Sequence, residues 1–554
     1  MNPPTDTSPT VSIQINGQPI EVAEGTTVLD AARGAGCKIP TLCHLEGQPG
    51  FSSCMLCTVE DKATGKTFPS CAIAAAPGMD IETENPMLTE KRRTLLELMM
   101  SDHSGDCEAP CTLACPASVP IPEIIRLLRS GQPEEAAVLL RQRTPLAGVL
   151  ERICGAHCEG GCRRGKVDES VSIMNVCRYA ADLPVPEDAR LLAPGKPVDP
   201  AYEGKRVAVL GAGPAGLSVA CHLARAGVDV TVFDDHEEAG GMLRYAVEED
   251  QLPRNVLDAE IDLIRRAGVK FELNHRVGEK ESFDEWKNGF DVVSLCIGEI
   301  SDPAKESKSK KKKPHPSPTL PDEVDQYGVK KSTSGIKVDK ASLQTSGEGV
   351  FCGGDAIRFF RKAVKAVGDG HRLSVSIQQF LRGDSVAGEH DPFKCTMSKF
   401  SPEELAKYAT RATPDPRQPF TEDPAAPLPM DDIVKEANRC LACDCEAKHD
   451  CDLREHCDTY GAKPNRLKPL EPIPYFVDQT HPEIDHDPGK CIRCAICIRL
   501  SELKQEAVGL APMGRGIEKR PGPPTGKTWA EALQKDPGDY CAQCPTAAIS
   551  PKRH

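Results

Sequence analysis

Twenty-six cysteines stand in this chain of 554 residues, and most of them sit in short runs. Cys43, Cys54, Cys57 and Cys71 follow the spacing C-x10-C-x2-C-x13-C. Cys107, Cys111 and Cys115 repeat C-x3-C, as do Cys154, Cys158 and Cys162, with Cys177 further on. Cys440, Cys443, Cys445 and Cys451 form one compact run. Cys491, Cys494 and Cys497 form another, answered later by Cys541 and Cys544. Thiolates this close cannot bridge separate elements, but they can converge on one iron cluster. Disulfide scaffolds are short and secreted, whereas this chain is long and opens with neither a charged nor an apolar signal stretch. The spacings therefore predict metal rather than disulfides, in a reducing compartment, the cytoplasm.

A second chemistry is written in RVAVLGAGPAGLSVACHLARAGVDVTVFD (206–234): strand, G-x-G-x-x-G, helix, strand, acid. Gly211 permits the tight turn, Gly213 lets a pyrophosphate approach the backbone, and Gly216 lets the helix pack on the strand. The helix N-terminus supplies the anion site. Asp234 follows Gly211 by 23 residues, the distance expected for an acid on the ribose hydroxyls.

Composition excludes other classes. A net charge of −14 argues against nucleic acid as the main partner. No apolar run reaches the ~18 residues a membrane span needs. No catalytic acid, nucleophile or substrate pocket is readable.

The elements that must position these residues change along the chain. Residues 10–85 alternate as strands: Val11, Ile13 and Ile15, a hairpin at Asn16-Gly17, then Ile20 and Val22. Thr26 or Thr27 can cap a following helix through Leu29 and Ala32. Residues 88–185 read as helices between cysteine clusters, 203–390 as strand–helix units, and Pro-rich 412–428 as a linker. The fold class is thus multidomain α+β and α/β. The resemblances set out next imply a β-grasp [2Fe-2S] domain (1–87), a helical domain with two [4Fe-4S] clusters (88–200) and a Rossmann-like FAD domain (201–411, with 301–334 as linker). After a Pro-rich linker (412–429) they imply a C-terminal ferredoxin-like iron–sulfur domain with two [4Fe-4S] clusters (430–554).

Four resemblances sharpen this. TVLDAARGAGCKIPTLCH, CMLC and SCAIAAAPGM resemble the N-terminal [2Fe-2S] domain of the complex I large iron–sulfur subunit and of related hydrogenases, which implies Cys43, Cys54, Cys57 and Cys71 as ligands. A structural zinc site is the alternative, though C-x10-C is unusual for zinc. RRTLLELMMSDHSGDC (92–107) is similar to the same subunit, where a histidine three residues before a cysteine ligates a cluster; here the pair is His103 and Cys107.

CEAPCTLACP, PEIIRLLRSGQPEEAA, ICGAHCEGGCRRG and VSIMNVCRYAADL resemble the helical domain of the glutamate synthase small subunit, shared with dihydropyrimidine dehydrogenase. That likeness implies one [4Fe-4S] cluster on Cys107, Cys111 and Cys162 and another on Cys115, Cys154, Cys158 and Cys177. One early family cysteine is missing. His103 stands close to it, and imidazole can replace thiolate on iron. A solvated histidine with some other fourth ligand is the alternative.

EAGGMLRYAV (238–247) and GVFCGGDA (349–356) resemble the same flavoproteins and imply FAD, held by Gly240, Gly241, Gly354 and Asp355 besides the first motif. The helix after GDGHRLSVSI (368–377) would point its positive end at the flavin. Only 54 residues separate Gly298 from Gly353, so the NAD(P)H domain that family members insert there does not fit. Part of the gap is SKSKKKKPHPSPTLP, a charged linker whose run Lys310–Lys313 is a solvated stretch or a dock for an acidic partner.

The run Cys440, Cys443, Cys445, Cys451 is similar to segments of such iron–sulfur proteins and would hold one [4Fe-4S] cluster, with tetrahedral zinc as the alternative. DPGKCIRCAICIRL and YCAQCPTAAIS resemble a bacterial ferredoxin module, which assigns Cys491, Cys494, Cys497 and Cys544 to one cluster; Ser501 stands where a two-cluster module has cysteine. Cys37, Cys457 and Cys541 are left over.

The sum is one [2Fe-2S], four [4Fe-4S] and one FAD, the inventory of an electron-transfer flavoprotein subunit. Its first candidate partner is an NADH- and FMN-binding subunit; a hydrogenase or formate dehydrogenase subunit could hold the other end. The alternatives are a glutamate synthase-like reductase feeding a synthase, and a scaffold with a vestigial FAD pocket. Electron bifurcation by the flavin stays open.

Overall fold

The computed structural model describes residues 9–184, 199–279, 282–300, 319, 321–397, 399–467 and 474–552. Lys310–Lys313 and most of the 301–334 stretch lie outside them. The chain forms two compact units that do not follow chain order. The first takes Met1–Glu108, Pro392–Tyr408 and Asp444–His554; the second takes Ala109–Asp391 and Ala409–Cys443.

In the first unit, β1 (Thr10–Ile15) buries Val11, Ile13 and Ile15 on one face, as their alternation requires. Asn16 and Gly17 both have positive φ, 51° and 78°, the turn that matches strand twist, and β2 (Gln18–Ala23) returns antiparallel. Thr27 caps the helix Val28–Gly34 by accepting from the Asp30 N–H at 3.1 Å. With β3 (Thr58–Asp61), β4 (Lys66–Pro69) and β5 (Asp80–Glu82), the sheet runs β2-β1-β5-β3-β4, with β1 and β5 parallel.

The helix Pro86–Asp102 is tied to this sheet by Arg92. Its buried guanidinium donates to the carbonyls of Leu56 (3.1 Å), Thr58 (3.2 Å) and Thr83 (2.8 Å). Near the chain's end, the strands Ile484–His486 and Ile549–Pro551 pair antiparallel beside the helix Ile496–Leu503.

In the second unit, β6 (Arg206–Leu210), β7 (Asp229–Phe233), β8 (Lys270–Glu272), β9 (Val292–Leu295) and β10 (Val350–Cys352) form a parallel sheet. Its order is β10-β9-β6-β7-β8, so the topology reverses beside β6, where an α/β sheet opens its ligand crevice. Val207, Val209 and Leu210 are buried, and the helices Pro214–Arg225 and Ala363–Arg382 cover this sheet. The latter begins before residues 368–377 rather than after them. Gly370 sits inside it because a Cβ there would meet Ser218 Cβ at 2.6 Å and the Ala215 carbonyl at 2.7 Å. Short helices between 110 and 182 carry the early cysteines.

Residues 412–429 were expected to link domains; they are a strap bonded along their length to the helical part. Arg417 donates to Ser170 O (3.0 Å) and Glu159 (2.8 Å), Arg152 to Pro424 O (2.9 Å), and Thr413 N to Asn438 O (3.2 Å). Proline removes donors but leaves every carbonyl free to accept, so a Pro-rich stretch can be held by arginines.

Candidate functional site

Four of the cysteine runs are shaped by a residue in the left-handed region, which is costly for anything but glycine and marks a constrained site. Met55 (φ 57°) lies between Cys54 and Cys57, Ala156 (48°) between Cys154 and Cys158, and Ala442 (44°) between Cys440 and Cys443. Arg493 (60°) and Ala495 (59°) flank Cys494. Such turns aim backbone N–H groups inward as an anion-binding concavity. Ala442 N and Arg493 N each donate to the preceding cysteine sulfur, Cys440 and Cys491, at 3.4 Å.

In the first unit, Cys43 and Cys54 sulfurs lie 3.4 Å apart, and Cys57 is hydrogen-bonded to Cys71. All four are buried. The hydrogen bond from Cys54 lowers the Cys43 thiol, and that from Cys57 lowers the Cys71 thiol. Ser52 (3.5 Å) also meets the Cys71 sulfur. Gly50 is required by close approach, since a Cβ would meet the Cys71 carbonyl at 2.1 Å.

Cys491, Cys494, Cys497 and Cys544 line one small cavity with Tyr540 and Thr546. Ser501 is buried and bonded: it donates to Ile498 O at 2.7 Å and accepts from Leu510 N at 3.1 Å. The sequence expectation of a single cluster here suits that geometry. The Cys43 set abuts this one, for Cys43 acts electrostatically on Cys494 and Arg499 bonds the Cys43 carbonyl.

His103 lies close to Lys490. Burial and the neighbouring Lys490 ammonium push its imidazole down to about 4. Ser104 N donates to Gly489 O at 2.8 Å, which draws this turn toward the 488–491 segment. The sulfur beside Cys107 is instead that of Cys395, at 3.4 Å. Cys395 was absent from the expected ligands because it stands alone in FKCTMSKF. The only sequence signal it offers is a cysteine without a partner run.

In the second unit, Cys115, Cys154, Cys158 and Cys177 come together. Burial raises all four thiols, and Cys115 and Cys154 act on Cys158. Cys111 is a neighbour of Cys162 and also of Cys440 and Cys443. Cys445 acts electrostatically on Cys395 and Cys451, all three in the first unit.

Beside the Cys154 set lies a cavity of about 910 Å³. Gly211, Gly213, Asp234, Gly241, Gly353 and Asp355 line it. Gly211 (φ 103°) passes so close to Cys296 that a Cβ would meet its carbonyl at 2.2 Å, and a Cβ at Gly216 would meet Gly211 O at 1.9 Å. At Gly213 a Cβ would meet nothing, so the space in front of it is open. Asp234 anchors the glycine loop by accepting from Ala212 N at 2.6 Å. Gly240 (φ 128°) packs on Arg244 and Leu257, and Gly354 (φ 67°) on Ala215.

Asp355 accepts from Phe360 N and Arg361 N at 3.1 Å each, while burial raises its carboxyl. Arg361 pairs with buried Glu299 at 3.2 Å, and Lys362 Nζ meets His157 Nε2 at 3.2 Å. These two cations, with the first turn of the helix Ala363–Arg382, suit a pyrophosphate or an electron-rich ring edge. The sequence signal that would have found them is a basic pair directly before a helix.

Three family models match. They are a 2Fe-2S iron–sulfur cluster binding domain over residues 8–86, dihydropyrimidine dehydrogenase domain II, 4Fe-4S cluster, over 98–188, and an NAD(P)-binding Rossmann-like domain over 209–268. The chain carries iron–sulfur domains of two kinds and a dinucleotide fold. The NADP(+)-dependent formate dehydrogenase subunit beta of Moorella thermoacetica is 41% identical over 34% of this chain and 29% of its own length. The NADPH-Fe(3+) oxidoreductase subunit beta of Geobacter sulfurreducens is 36% identical over 34% of this chain and 28% of its own. The NAD-dependent dihydropyrimidine dehydrogenase subunit PreT of Escherichia coli is 33% identical over 34% of this chain and 46% of its own. The matched stretch thus spans less than half of each of these relatives. Each of these relatives is named as a subunit of a dehydrogenase or oxidoreductase. No helix among the described residues is long and apolar enough to cross a membrane.

Proposed function

We propose that this chain is an iron–sulfur flavoprotein subunit that relays electrons between FAD and a series of clusters within a larger oxidoreductase. The observation that carries it is the wall of the dinucleotide cavity: Cys154 and His157, from the Cys115 set, line it together with Gly211, Gly213 and Asp355. A flavin exchanges electrons in pairs or singly and a cluster one at a time, so their apposition is what a relay needs. FAD, rather than a nicotinamide, is supported by the late segment Gly353–Asp355 and the helix from Ala363 closing the same cavity as the first glycine motif.

The residues prepare for these groups before either binds. Buried and half-buried cysteines gather in sets, left-handed turns present N–H donors, and Arg361 and Lys362 supply positive charge at the cavity. Within the first unit the sets adjoin in the order Cys43, Cys494, Cys451, because Cys451 Sγ bonds Pro545 O, next to Cys544, at 3.6 Å. Within the second, Cys111 neighbours the Cys115 set, which borders the cavity. Two of the chain's four crossings between units, at Glu108–Ala109 and Cys443–Asp444, fall inside cysteine runs.

The partners that suit this reading are an NADH- and FMN-binding subunit and, at the other end, a hydrogenase or formate dehydrogenase subunit. Two of the relatives are themselves named as beta subunits. Stopped-flow reduction by NADH and NADPH, with and without such a partner, tests it. Slow flavin bleaching in the isolated chain and fast bleaching with the partner are expected. Fast bleaching by either nucleotide in the isolated chain would overturn it.

A further inference from the structure

Two segments distant in sequence from the first cysteine runs are fixed against them by buried polar staples. In the first unit, residues 392–397 run beside 105–107. Cys107 N donates to Cys395 O at 3.1 Å, Cys395 N to Cys107 Sγ at 3.5 Å, and Met397 N to Asp106 at 2.8 Å. Arg454 fastens the third strand of this knot: its guanidinium donates to Phe393 O (2.9 Å), Lys448 O (2.8 Å) and Glu108 (3.0 Å). Its own N–H donates to Cys451 Sγ at 3.4 Å. The loop 444–450, which carries Cys445, is held at Lys448 between Arg454 and Glu108. Cys395 is buried, so a neutral thiol there needs no such apparatus, whereas a thiolate among three others does.

In the second unit, Arg439 has no exposed surface and bonds Glu436, Asp168, Glu169 O, Ser170 O and Asp415 O. Arg164 reaches back to the Arg439 carbonyl at 3.3 Å. These bonds fix the turn that leads into Cys440, and Gly161, next to Cys162, packs so tightly on the Cys111 helix that a Cβ would lie 2.6 Å from Ala114 Cβ; Cys162, Cys440 and Cys443 all act on Cys111.

We infer that Cys395 is the fourth ligand of a [4Fe-4S] cluster held by Cys107, Cys445 and Cys451, and that Cys440 and Cys443 complete a second cluster with Cys111 and Cys162. The compact run 440–451 is thus divided between two clusters. The number of clusters is unchanged, all sixteen [4Fe-4S] positions are cysteine, and His103 is released from ligation. This inference rests on the iron–sulfur reading above, and the two fail separately.

The test is the full chain, purified anaerobically, with Cys395→Ala, Cys451→Ala, Cys440→Ala, Cys162→Ala and, as a control, Cys457→Ala. Cys457 is buried next to Cys451 and Cys107 but lies on the helix Asp452–Thr459 that packs on Pro86–Asp102. Iron content, EPR of the reduced protein and far-UV circular dichroism are read for each. Cys395→Ala and Cys451→Ala are expected to remove or alter the same [4Fe-4S] signal, with up to about four irons lost. Cys440→Ala and Cys162→Ala are expected to alter a second signal and leave the first. Cys457→Ala is expected to change neither.

Where an alanine variant loses helical content, the serine variant at the same position replaces it, since an alkoxide can hold the cluster with a shifted signal. If Cys440→Ala and Cys451→Ala strike one signal while Cys395→Ala strikes none, or if Cys457→Ala takes the place of Cys395→Ala, the division is wrong although the clusters stand. A wild-type chain without [4Fe-4S] signals would sink the iron–sulfur reading itself.

Discussion

Glu436 and Arg439 form an ion pair at 2.7 Å with neither side chain exposed to solvent, just before Cys440 and Cys443 in the chain. The carboxylate is also satisfied by the N–H groups of Ser172 (2.7 Å) and Gln418 (2.8 Å), so both partners of the pair are fully bonded. A buried pair of this kind is costly to break on one side, because the remaining charge has no water to turn to.

Replacing Arg439 with methionine should therefore destabilise the second unit by about 3–5 kcal/mol. Replacing both Arg439 and Glu436 with apolar residues should cost less than that single change. Denaturant unfolding of the two variants under anaerobic conditions measures the difference, and equal losses would show that the charges matter only for shape.

Wild-type chain should carry about 18 irons, from one [2Fe-2S] and four [4Fe-4S] clusters, and about one FAD. Iron and flavin analysis after anaerobic purification checks this. Iron near about 4 per chain, or zinc in quantity, contradicts the cysteine sets.

His103 faces Lys490 and leaves its Nδ1 without a partner. His103→Gln should leave iron content, EPR line shapes and cluster potentials as in wild type. A lowered potential in His103→Cys, or a lost signal in His103→Ala, would return the imidazole to the iron.

Gly213 and Gly216 should separate folding from binding. Gly216→Ala forces a Cβ to 1.9 Å from Gly211 O and should lower stability along with flavin content. Gly213→Ala meets no protein atom, so the fold should survive while the added methyl obstructs a pyrophosphate. Circular dichroism and flavin occupancy, read together, distinguish the two. Full flavin occupancy in Gly213→Ala would place the pyrophosphate elsewhere.

His222, on the helix behind the glycine loop, is driven far below its ordinary range by burial, by His371 edge-on at 4.7 Å, and by Arg225 and Arg143. A folded-state pKa below the unfolded value of about 6.5 gives stability that is present above that pH and lost as pH falls through it. Each pH unit below about 6.5 should cost about 1.4 kcal/mol until the folded imidazole itself protonates. His222→Leu should remove this slope, and urea unfolding at two pH values either side of 6.5 reads it. An unchanged slope in the variant would assign the loss to another group.

Local features were legible in the sequence because short-range chemistry fixes them. The alternation Val11, Ile13, Ile15 can bury one face only as a strand, and Asn16-Gly17 accepts the two positive φ angles its hairpin needs. Gly211, Gly213 and Gly216 are set by how near a backbone, a ligand and a helix must come. The tight runs around Cys54, Cys154 and Cys491 announce metal, since several thiolates so close together can converge on one cluster.

Which run joins which was not legible. Sulfurs from separate segments meet here because Arg439 and Arg417 find carbonyls, and Arg454 the Glu108 carboxylate, more than two hundred positions away. Cys440 to Cys451 looks like one site because the residues are adjacent, yet the chain crosses between the two units at Cys443–Asp444, inside that run. Cys395 has no companion within its own segment and gains one only where residues 392–397 lie against 105–107. The sequence by itself determined the kinds of group this protein can hold. Long-range packing of buried arginines and backbone decided the membership of each set, because a ligand's partners are defined by distance in space and not along the chain.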